Sequence, residues 1–73
     1  KIDVECYSGY RGEQTPVRFR IETRDVGVRQ VLDQWLAPDH RYFKVLGDDG
    51  GEYILRHDPF AELWELIFFK RIT

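Results

Sequence analysis

Apolar and polar residues alternate with a period of two along much of this chain. The first alternating run places apolar side chains at Ile2, Val4 and Cys6, and the second at Val17, Phe19 and Ile21. Alternation of this kind is typical of β-strands that bury one face and leave the other in water. The start of the chain therefore predicts two half-buried strands.

A cluster of glycine and aspartate at 47–51 lies between two further strand-like runs. Arg41 to Leu46 precede the cluster and Glu52 to Arg56 follow it. Small residues, and residues that tolerate a left-handed backbone, close tight antiparallel hairpins. We therefore predict a β-hairpin whose turn is the Gly/Asp cluster.

The segment Asp25 to Leu36 fits two structures. Its apolar residues also follow the spacing of an amphipathic helix, for which Asp25 would be a suitable N-cap and Pro38 a stop. Gly27 and the β-branched residues of the segment disfavour a helix, and the neighbouring runs have the pattern of strands. The balance of these signals favours a strand.

We interpret this segment as a bent strand in which Val26 and Val28 point inward. A one-residue bulge near Gln30 then returns Val31 and Trp35 to the inner face. Bent strands allow a small sheet to curl toward closure.

The last run, Leu63 to Lys70, is apolar on both faces. Alternation divides its large side chains into Leu63, Ile67 and Phe69, which we expect in the core, and Trp64, Leu66 and Phe68, which we expect to face outward. A chain of 73 residues has no second layer to cover an outward apolar face. The sequence therefore predicts an interaction surface on this strand, covered in a homodimer or by a protein partner.

Length and composition limit the chain to one small domain. It has 73 residues, 42% of them hydrophobic and 33% charged, and a chain of this size buries only about 60% of its unfolded surface. We expect an all-β fold over residues 1–73, with five or six antiparallel strands in meander order that form a twisted sheet or an open barrel like that of an SH3 domain. The predicted core comprises Val4, Cys6, Phe19, Ile21, Val31, Trp35, Val45, Leu55 and Leu66.

Charge and cysteine content narrow the function classes. Eleven Lys and Arg against thirteen Asp and Glu give a net charge of −2, which argues against binding driven by phosphate groups. The single cysteine, Cys6, cannot form an internal disulfide, so we expect a reducing, cytoplasmic compartment. No apolar stretch approaches the roughly 20 residues of a membrane helix, and no signal-peptide core follows Lys1. Because the chain does not begin with methionine, we expect residues at this end to be missing from the sequence or to have been removed.

Four stretches of the chain resemble a group of small bacterial proteins that has no assigned activity. They read ECYSGYR from Glu5, VLDQW from Val31, PDHRYFKV from Pro38 and YILRHD from Tyr53. The resemblance implies a bacterial source, a cytoplasmic setting and a stand-alone domain, and it favours a strand for the ambiguous segment. It transfers no catalytic residue. Gly27 departs from the more regular alternation of the group.

Candidate catalytic and metal-binding residues are few. His40 and His57 lie at the open end of the predicted hairpin, where with nearby carboxylates they would suit a divalent metal. Their spacing matches no known ligand motif, and Asp39 and Asp58 are suited to cap turns beside locally hydrogen-bonded histidines. Cys6 lies in the apolar phase of its strand, where a thiol behaves as a small buried hydrophobe. We therefore expect no metal, no cofactor and no enzymatic activity.

Arginine and tyrosine side chains form a second candidate surface. This predicted polar face comprises Arg18, Arg20, Arg29, Arg56 and Tyr42. Arginines beside exposed aromatic rings are typical of surfaces that bind single-stranded nucleic acid or acidic proteins. In the alternative interpretation, cross-strand carboxylates neutralise the row, and these are Asp3, Glu5, Glu22, Glu52 and Glu65. The sequence thus favours a module that binds itself or another protein, with nucleic-acid binding as the alternative.

Overall fold

A computed structural model describes residues 2–8 and 14–71. Residues 1, 9–13 and 72–73, which include the end of the ECYSGYR stretch, lie outside the described residues. The strands are β1 (Asp3–Ser8), β2 (Gln14–Ile21), β3 (Arg24–Leu36), β4 (Arg41–Gly47), β5 (Gly51–Asp58) and β6 (Leu63–Arg71). They form one six-stranded sheet in sequence order, with every neighbouring pair antiparallel. The predicted all-β meander is confirmed.

The part of the chain that the structure describes contains no helix, and so none with the length and hydrophobicity to span a membrane.

The long strand β3 joins the two halves of the sheet. Its first residues, Arg24 to Gly27, pair with β2, whereas Val28 to Leu36 pair with β4. The register with β4 shifts between Val28 and Gln30, and again between Val31 and Asp33. Each extra residue bends and twists the strand, so β3 turns from one half of the sheet into the other and the sheet curls into a half-barrel. The extended conformation and the bulge near Gln30 are confirmed.

The predicted hairpin is formed by β4 and β5. The Gly50 N–H donates a hydrogen bond to the Gly47 carbonyl at 3.1 Å, and Gly50 has a φ of 86°. The Asp49 carboxylate accepts the Gly51 N–H at 2.9 Å. Glycine adopts the left-handed backbone at no steric cost, which explains its position at the end of this turn.

The core lies on the concave face of the half-barrel. Its buried side chains are Phe19, Val26, Phe43, Val45, Tyr53, Leu55 and Trp64, and the half-buried Val4, Cys6, Ile21, Val31 and Leu66 pack against them. Trp35 is the exception among the predicted core residues, because its side chain is 41% exposed and lies on the outer face. The prediction for Trp35 is wrong because β3 has a second bulge after Val31. The first bulge returns Val31 to the inner face, and the second moves Trp35 to the outer face.

The predicted faces of β6 are wrong at its start. Trp64 is 7% exposed, and its ring lies 5.7 Å from that of Phe43 in the core. Leu66 also packs against the core, so neither side chain faces outward. Further along, Phe68 lies opposite Ile54 on the outer face, as predicted, and Phe69 is on the inner face with its ring 4.8 Å from that of Tyr53.

A bulge at Ile67 explains this mixture. Leu66 pairs with Leu55 and Phe68 pairs with Ile54, so Ile67 is an extra residue in the ladder. Alternation changes phase at such a residue. Glu65 and Phe68 consequently share the outer face, although strict alternation would separate them.

One hydrogen bond connects the two ends of the sheet. The Ile2 N–H donates to the Trp64 carbonyl at 3.0 Å, in an isolated bridge outside the strand ladders. The seam closes only at this point within the described residues. Beyond Trp64, β6 pairs on one side alone.

Candidate functional site

The unpaired side of β6 is an exposed apolar edge of the sheet. From Glu65 to Arg71 the strand pairs with β5, and no strand of residues 2–8 or 14–71 pairs with its other side. An edge of this kind presents backbone donors and acceptors that a further strand can bind. The outward carbonyl of Trp64 already accepts the Ile2 N–H, which shows how the edge can be extended.

Three consecutive large apolar residues occupy this edge. Ile67 and Phe68 are each 46% exposed and Phe69 is 44% exposed. Because Phe68 lies on the outer face and Phe69 on the inner face, the rim of the half-barrel is apolar on both sides. Long hydrophobic edges of this type are either covered by a partner or prone to aggregation.

Charged residues flank the apolar centre with opposite signs. Glu65, near the start of the strand, holds Arg56 through a 2.6 Å ion pair on the outer face. Lys70 and Arg71 are exposed at the other end. Among the described carboxylates, Glu52 lies opposite Lys70 but pairs with Lys44, at 3.5 Å.

A second unpaired edge belongs to the later half of β3. The described part of β2 pairs only as far as Gly27, so Val28 to Leu36 have β4 on one side alone. Trp35 stacks on Tyr42 of β4, with ring centroids 5.3 Å apart and planes 3° from parallel. A pocket of about 380 Å³ opens here, lined by Gln34, Trp35, Leu36, Arg41, Tyr42 and Phe43.

The residues of the predicted polar face lie in different parts of the sheet. Tyr42 and Arg56 are cross-strand neighbours on the outer face, and hydrogen bonds from Arg56 to Glu65 and Tyr42 raise the pKa of the guanidinium. Arg18 and Arg20 are on β2, opposite Glu5 and Asp3 of β1 respectively. Arg20 also lies 3.8 Å from Asp25. Arg29 is exposed at the first bulge of β3.

Carboxylates therefore accompany Arg18, Arg20 and Arg56. Of this predicted face, Tyr42 and Arg56 are cross-strand neighbours, and Arg18 and Arg20 are neighbours on the exposed side of β2.

His57 is buried without a hydrogen-bond partner. Its side chain is 2% exposed and its ring stacks on Trp64 at 4.2 Å. Within the described part of the chain neither ring nitrogen makes a hydrogen bond, and the Glu62 carboxylate is 3.6 Å from Nε2. The expected local hydrogen bond of His57 is thus absent among the described residues. The imidazole packs into the core, away from the backbone N–H groups of the turn, and Phe60 and Ala61 donate theirs to Asp58.

Asp58 caps the turn that follows β5, as predicted. Its carboxylate accepts the N–H groups of Phe60 at 3.0 Å and Ala61 at 3.1 Å. The bond from Ala61 is the main cause of the lowered pKa of Asp58, against a smaller opposing effect of desolvation. Among residues 2–8 and 14–71, no group of three or more His, Cys, Asp or Glu side chains is arranged to hold a metal ion.

Cys6 is half-buried against the core. Burial raises the pKa of its thiol, the negative charge of Glu62 raises it further, and Arg41 offsets part of the effect. The thiolate is the nucleophilic form of cysteine, so this environment disfavours covalent chemistry at Cys6.

A hydrogen-bonded network at the β4–β5 turn, centred on the buried Tyr53, was not anticipated from the sequence. The Tyr53 hydroxyl donates to the Asp49 carboxylate at 2.5 Å and accepts from Arg24 at 3.2 Å. Burial and the bond to Asp49 raise the pKa of Tyr53 to about 12. Desolvation would raise the pKa of Asp49, but the bonds from Tyr53 and Gly51 and the charge of Arg24 lower it. The network fastens the turn to the core.

Sequence reasoning also missed that Ile67 and Phe69 form part of the exposed edge. The available signal was the uninterrupted apolar run Leu66 to Phe69. A bulge within such a run changes which residues face outward, but the run remains apolar at every position.

Comparison with known proteins gives no match: no family model, no curated protein and no solved structure is similar to this chain. The two unpaired edges are therefore the basis for a functional proposal.

Proposed function

We propose that this chain is a small non-enzymatic module that acts by protein association, with a second copy of itself as the partner and the unpaired edge of β6 as the interface. The supporting observation is the exposure of Ile67, Phe68 and Phe69 on a strand edge that no described residue covers. A bacterial cytoplasmic setting fits the single cysteine and the resemblance of its sequence stretches.

Addition of a strand at this edge would stabilise the chain in two ways. It pairs backbone groups that otherwise depend on water, and it removes apolar side chains from solvent. Burying three such side chains contributes on the order of 5 kcal/mol. Association costs of similar size oppose this, so we expect a dimer no tighter than micromolar.

The environments of the candidate catalytic groups support a non-enzymatic role. The thiol of Cys6 has a raised pKa, and the imidazole of His57 is enclosed in the core. A nucleophile needs an activating base within hydrogen-bond reach. Among the described residues, neither ring nitrogen of His57 makes a hydrogen bond to any group, a thiol included.

The test compares substitutions on and off the edge. Phe68→Glu places a charge at the centre of the proposed interface, and we expect it to abolish dimerisation at concentrations where the unmodified chain dimerises. Phe60→Glu is the matched control, because Phe60 is 86% exposed in the turn before β6. Sedimentation velocity measures association, and circular dichroism verifies folding. Equal association of both variants would contradict the proposed interface.

A second candidate function, binding of single-stranded nucleic acid, is favoured by one observation. The exposed Trp35 stacks on the half-buried Tyr42 beside Arg56 on the outer face, and nucleobases stack on such rings. Quenching of tryptophan fluorescence by a single-stranded oligonucleotide, steeply reduced by added salt and absent in Trp35→Ala, would support this candidate. An unchanged spectrum at low salt would exclude it.

A further inference from the structure

We infer that two copies pair β6 with β6 in antiparallel orientation, about a two-fold axis at Phe68, so that Glu65 of each chain faces Lys70 of the other. This inference rests on the proposed function and adds the orientation and register of the interface.

The distribution of charge along the strand selects the orientation. The acidic residue of the edge, Glu65, precedes the apolar centre, and the basic residues, Lys70 and Arg71, follow it. Parallel pairing in register would set each charge against its own copy, and like charges directly opposite destabilise a sheet. Antiparallel pairing sets Glu65 against a basic residue at both ends of the interface.

The bulge at Ile67 selects the register. Residues that face each other across an antiparallel ladder project from the same face of the sheet. Glu65 is five positions from Lys70, so regular alternation would put them on opposite faces. Because Ile67 is an extra residue, Glu65, Phe68 and Lys70 all project from the outer face, opposite Arg56, Ile54 and Glu52 of β5.

These constraints meet when the two-fold axis passes through Phe68. Phe68 then faces its own copy on the outer side, and Phe69 faces the bulge of Leu66 and Ile67. The Glu65 of each chain then faces the Lys70 of the other, one such pair at each end of the interface. A register shifted by one residue would set outer-face side chains against inner-face side chains along the whole interface.

Lys70 is suited to an intermolecular ion pair. Its cross-strand neighbour Glu52 is engaged by Lys44 at 3.5 Å, and no other described carboxylate is paired with Lys70. Glu65 contacts Arg56 with one carboxylate oxygen, Oε1, in both of its hydrogen bonds. The other oxygen is therefore available to a lysine across the interface.

Charge reversal tests the register. Lys70→Glu sets carboxylate against carboxylate at both ends, and Glu65→Lys sets ammonium against ammonium. Each variant alone should raise the dimer Kd about tenfold, since each replaces two attractive contacts by two repulsive ones. An equimolar mixture should form a heterodimer at least as tight as the unmodified homodimer, because all facing charges are then opposite.

The matched control is Arg29→Glu. It makes the same change in net charge at an exposed position, but β3 lies three strands from β6 in the sheet, so the dimer Kd should not rise. Native mass spectrometry of chains with different isotope labels separates homodimers from heterodimers.

A second measurement does not depend on the Arg56 ion pair, which Glu65→Lys removes. Facing residues in an antiparallel ladder have Cα atoms about 4.5–5.5 Å apart, which is within reach of a disulfide. Phe68→Cys in a Cys6→Ala background should therefore form a disulfide-linked dimer under mild oxidation, and Phe60→Cys in the same background should not.

The outcomes separate the register from the proposed function. If the unmodified chain dimerises but Lys70→Glu behaves like Arg29→Glu, or the mixture forms no heterodimer, the register is wrong and the self-association stands. If the unmodified chain is monomeric at every concentration, both the proposed function and the register are contradicted. Open-ended oligomers would indicate pairing of β6 with the unpaired edge of β3, which also contradicts the two-fold interface.

Discussion

At the scale of single residues, His57 is the least expected feature of the core. Both ring nitrogens are buried without a hydrogen-bond partner among the described residues, and unpaired buried polar atoms cost free energy. The ring nevertheless fills the space beside Trp64. Its shape therefore contributes more to stability than its polarity does.

We predict opposite effects of two substitutions at His57. Phe keeps a flat ring against Trp64 and removes the unpaired nitrogens, so it should leave the free energy of unfolding unchanged or raise it by about 1 kcal/mol. Ala leaves a cavity and should lower it by about 2–4 kcal/mol. Urea unfolding measures both. A large loss of stability in His57→Phe would show that the ring nitrogens have a partner that stabilises the fold.

The raised pKa of the Tyr53 hydroxyl implies that the fold loses stability in alkaline solution. Its pKa is raised from 10.0 to about 12 in the folded chain, by burial and by the bond to Asp49. A group whose folded pKa is raised stabilises the fold below its unfolded pKa and loses this effect as pH rises toward the folded value. The free energy of unfolding should therefore fall between about pH 10 and pH 12.

Tyr53→Phe should lack this part of the alkaline loss, whereas Tyr7→Phe, at an exposed site of β1, should retain it. Identical pH profiles for Tyr53→Phe and the unmodified chain would contradict the assignment. The comparison of profiles isolates Tyr53 because the other groups that titrate in this range are the same in both proteins.

At the scale of elements, the sequence predicts strands more reliably than it predicts their faces. Alternation in β1 and β2 and the Gly/Asp turn were sufficient to place those elements. In β3 the β-branched residues and Gly27 distinguished a strand from a helix. The phase of the apolar residues before and after Gln30 indicated the bulge there. The second bulge, which turns Trp35 outward, could not be predicted from the sequence. Apolar and polar residues between Val31 and Leu36 fit a strand with or without this extra residue.

The same limit explains the error in β6. Its phase changes at Ile67 because Leu55 pairs with Leu66 and Ile54 pairs with Phe68. That register is set by the pairing of β5 with β6, so the sequence of β6 alone does not determine it. Four consecutive apolar residues, Leu66 to Phe69, fit either phase. The sequence of β6 therefore indicated a strand with exposed apolar side chains, and assigned Trp64 and Leu66 to the wrong side.

The β4–β5 turn gives a prediction at this scale. A Cβ atom at Gly47 would lie 2.7 Å from a methyl carbon of Val26 and 3.0 Å from the ring of Tyr53. Gly47→Ala should therefore destabilise the fold by about 1–3 kcal/mol, as overpacked cores do. Gly50→Asn should cost much less, because the site is open and asparagine tolerates its positive φ.

Urea unfolding of the two glycine variants, compared with the unmodified chain, measures the difference. A larger loss for Gly50→Asn than for Gly47→Ala would show that backbone conformation, and not close packing, determines which residues this turn accepts.

At the scale of the whole molecule, incomplete closure of the sheet leaves one edge of β6 without a partner strand among the described residues. The bridge from Ile2 to Trp64 joins the ends of the sheet at one point, and the rest of β6 remains an apolar edge with opposite charges at its two ends. The fold class and the strand that carries the proposed interface could be predicted from the sequence. The charge register could not, because it depends on the bulge.

Sedimentation equilibrium of the unmodified chain over a wide concentration series measures self-association itself. We expect a reversible equilibrium between the 8.8 kDa monomer and its dimer, with a midpoint no tighter than micromolar. A single species of monomer mass, up to high micromolar concentration, would contradict self-association through β6.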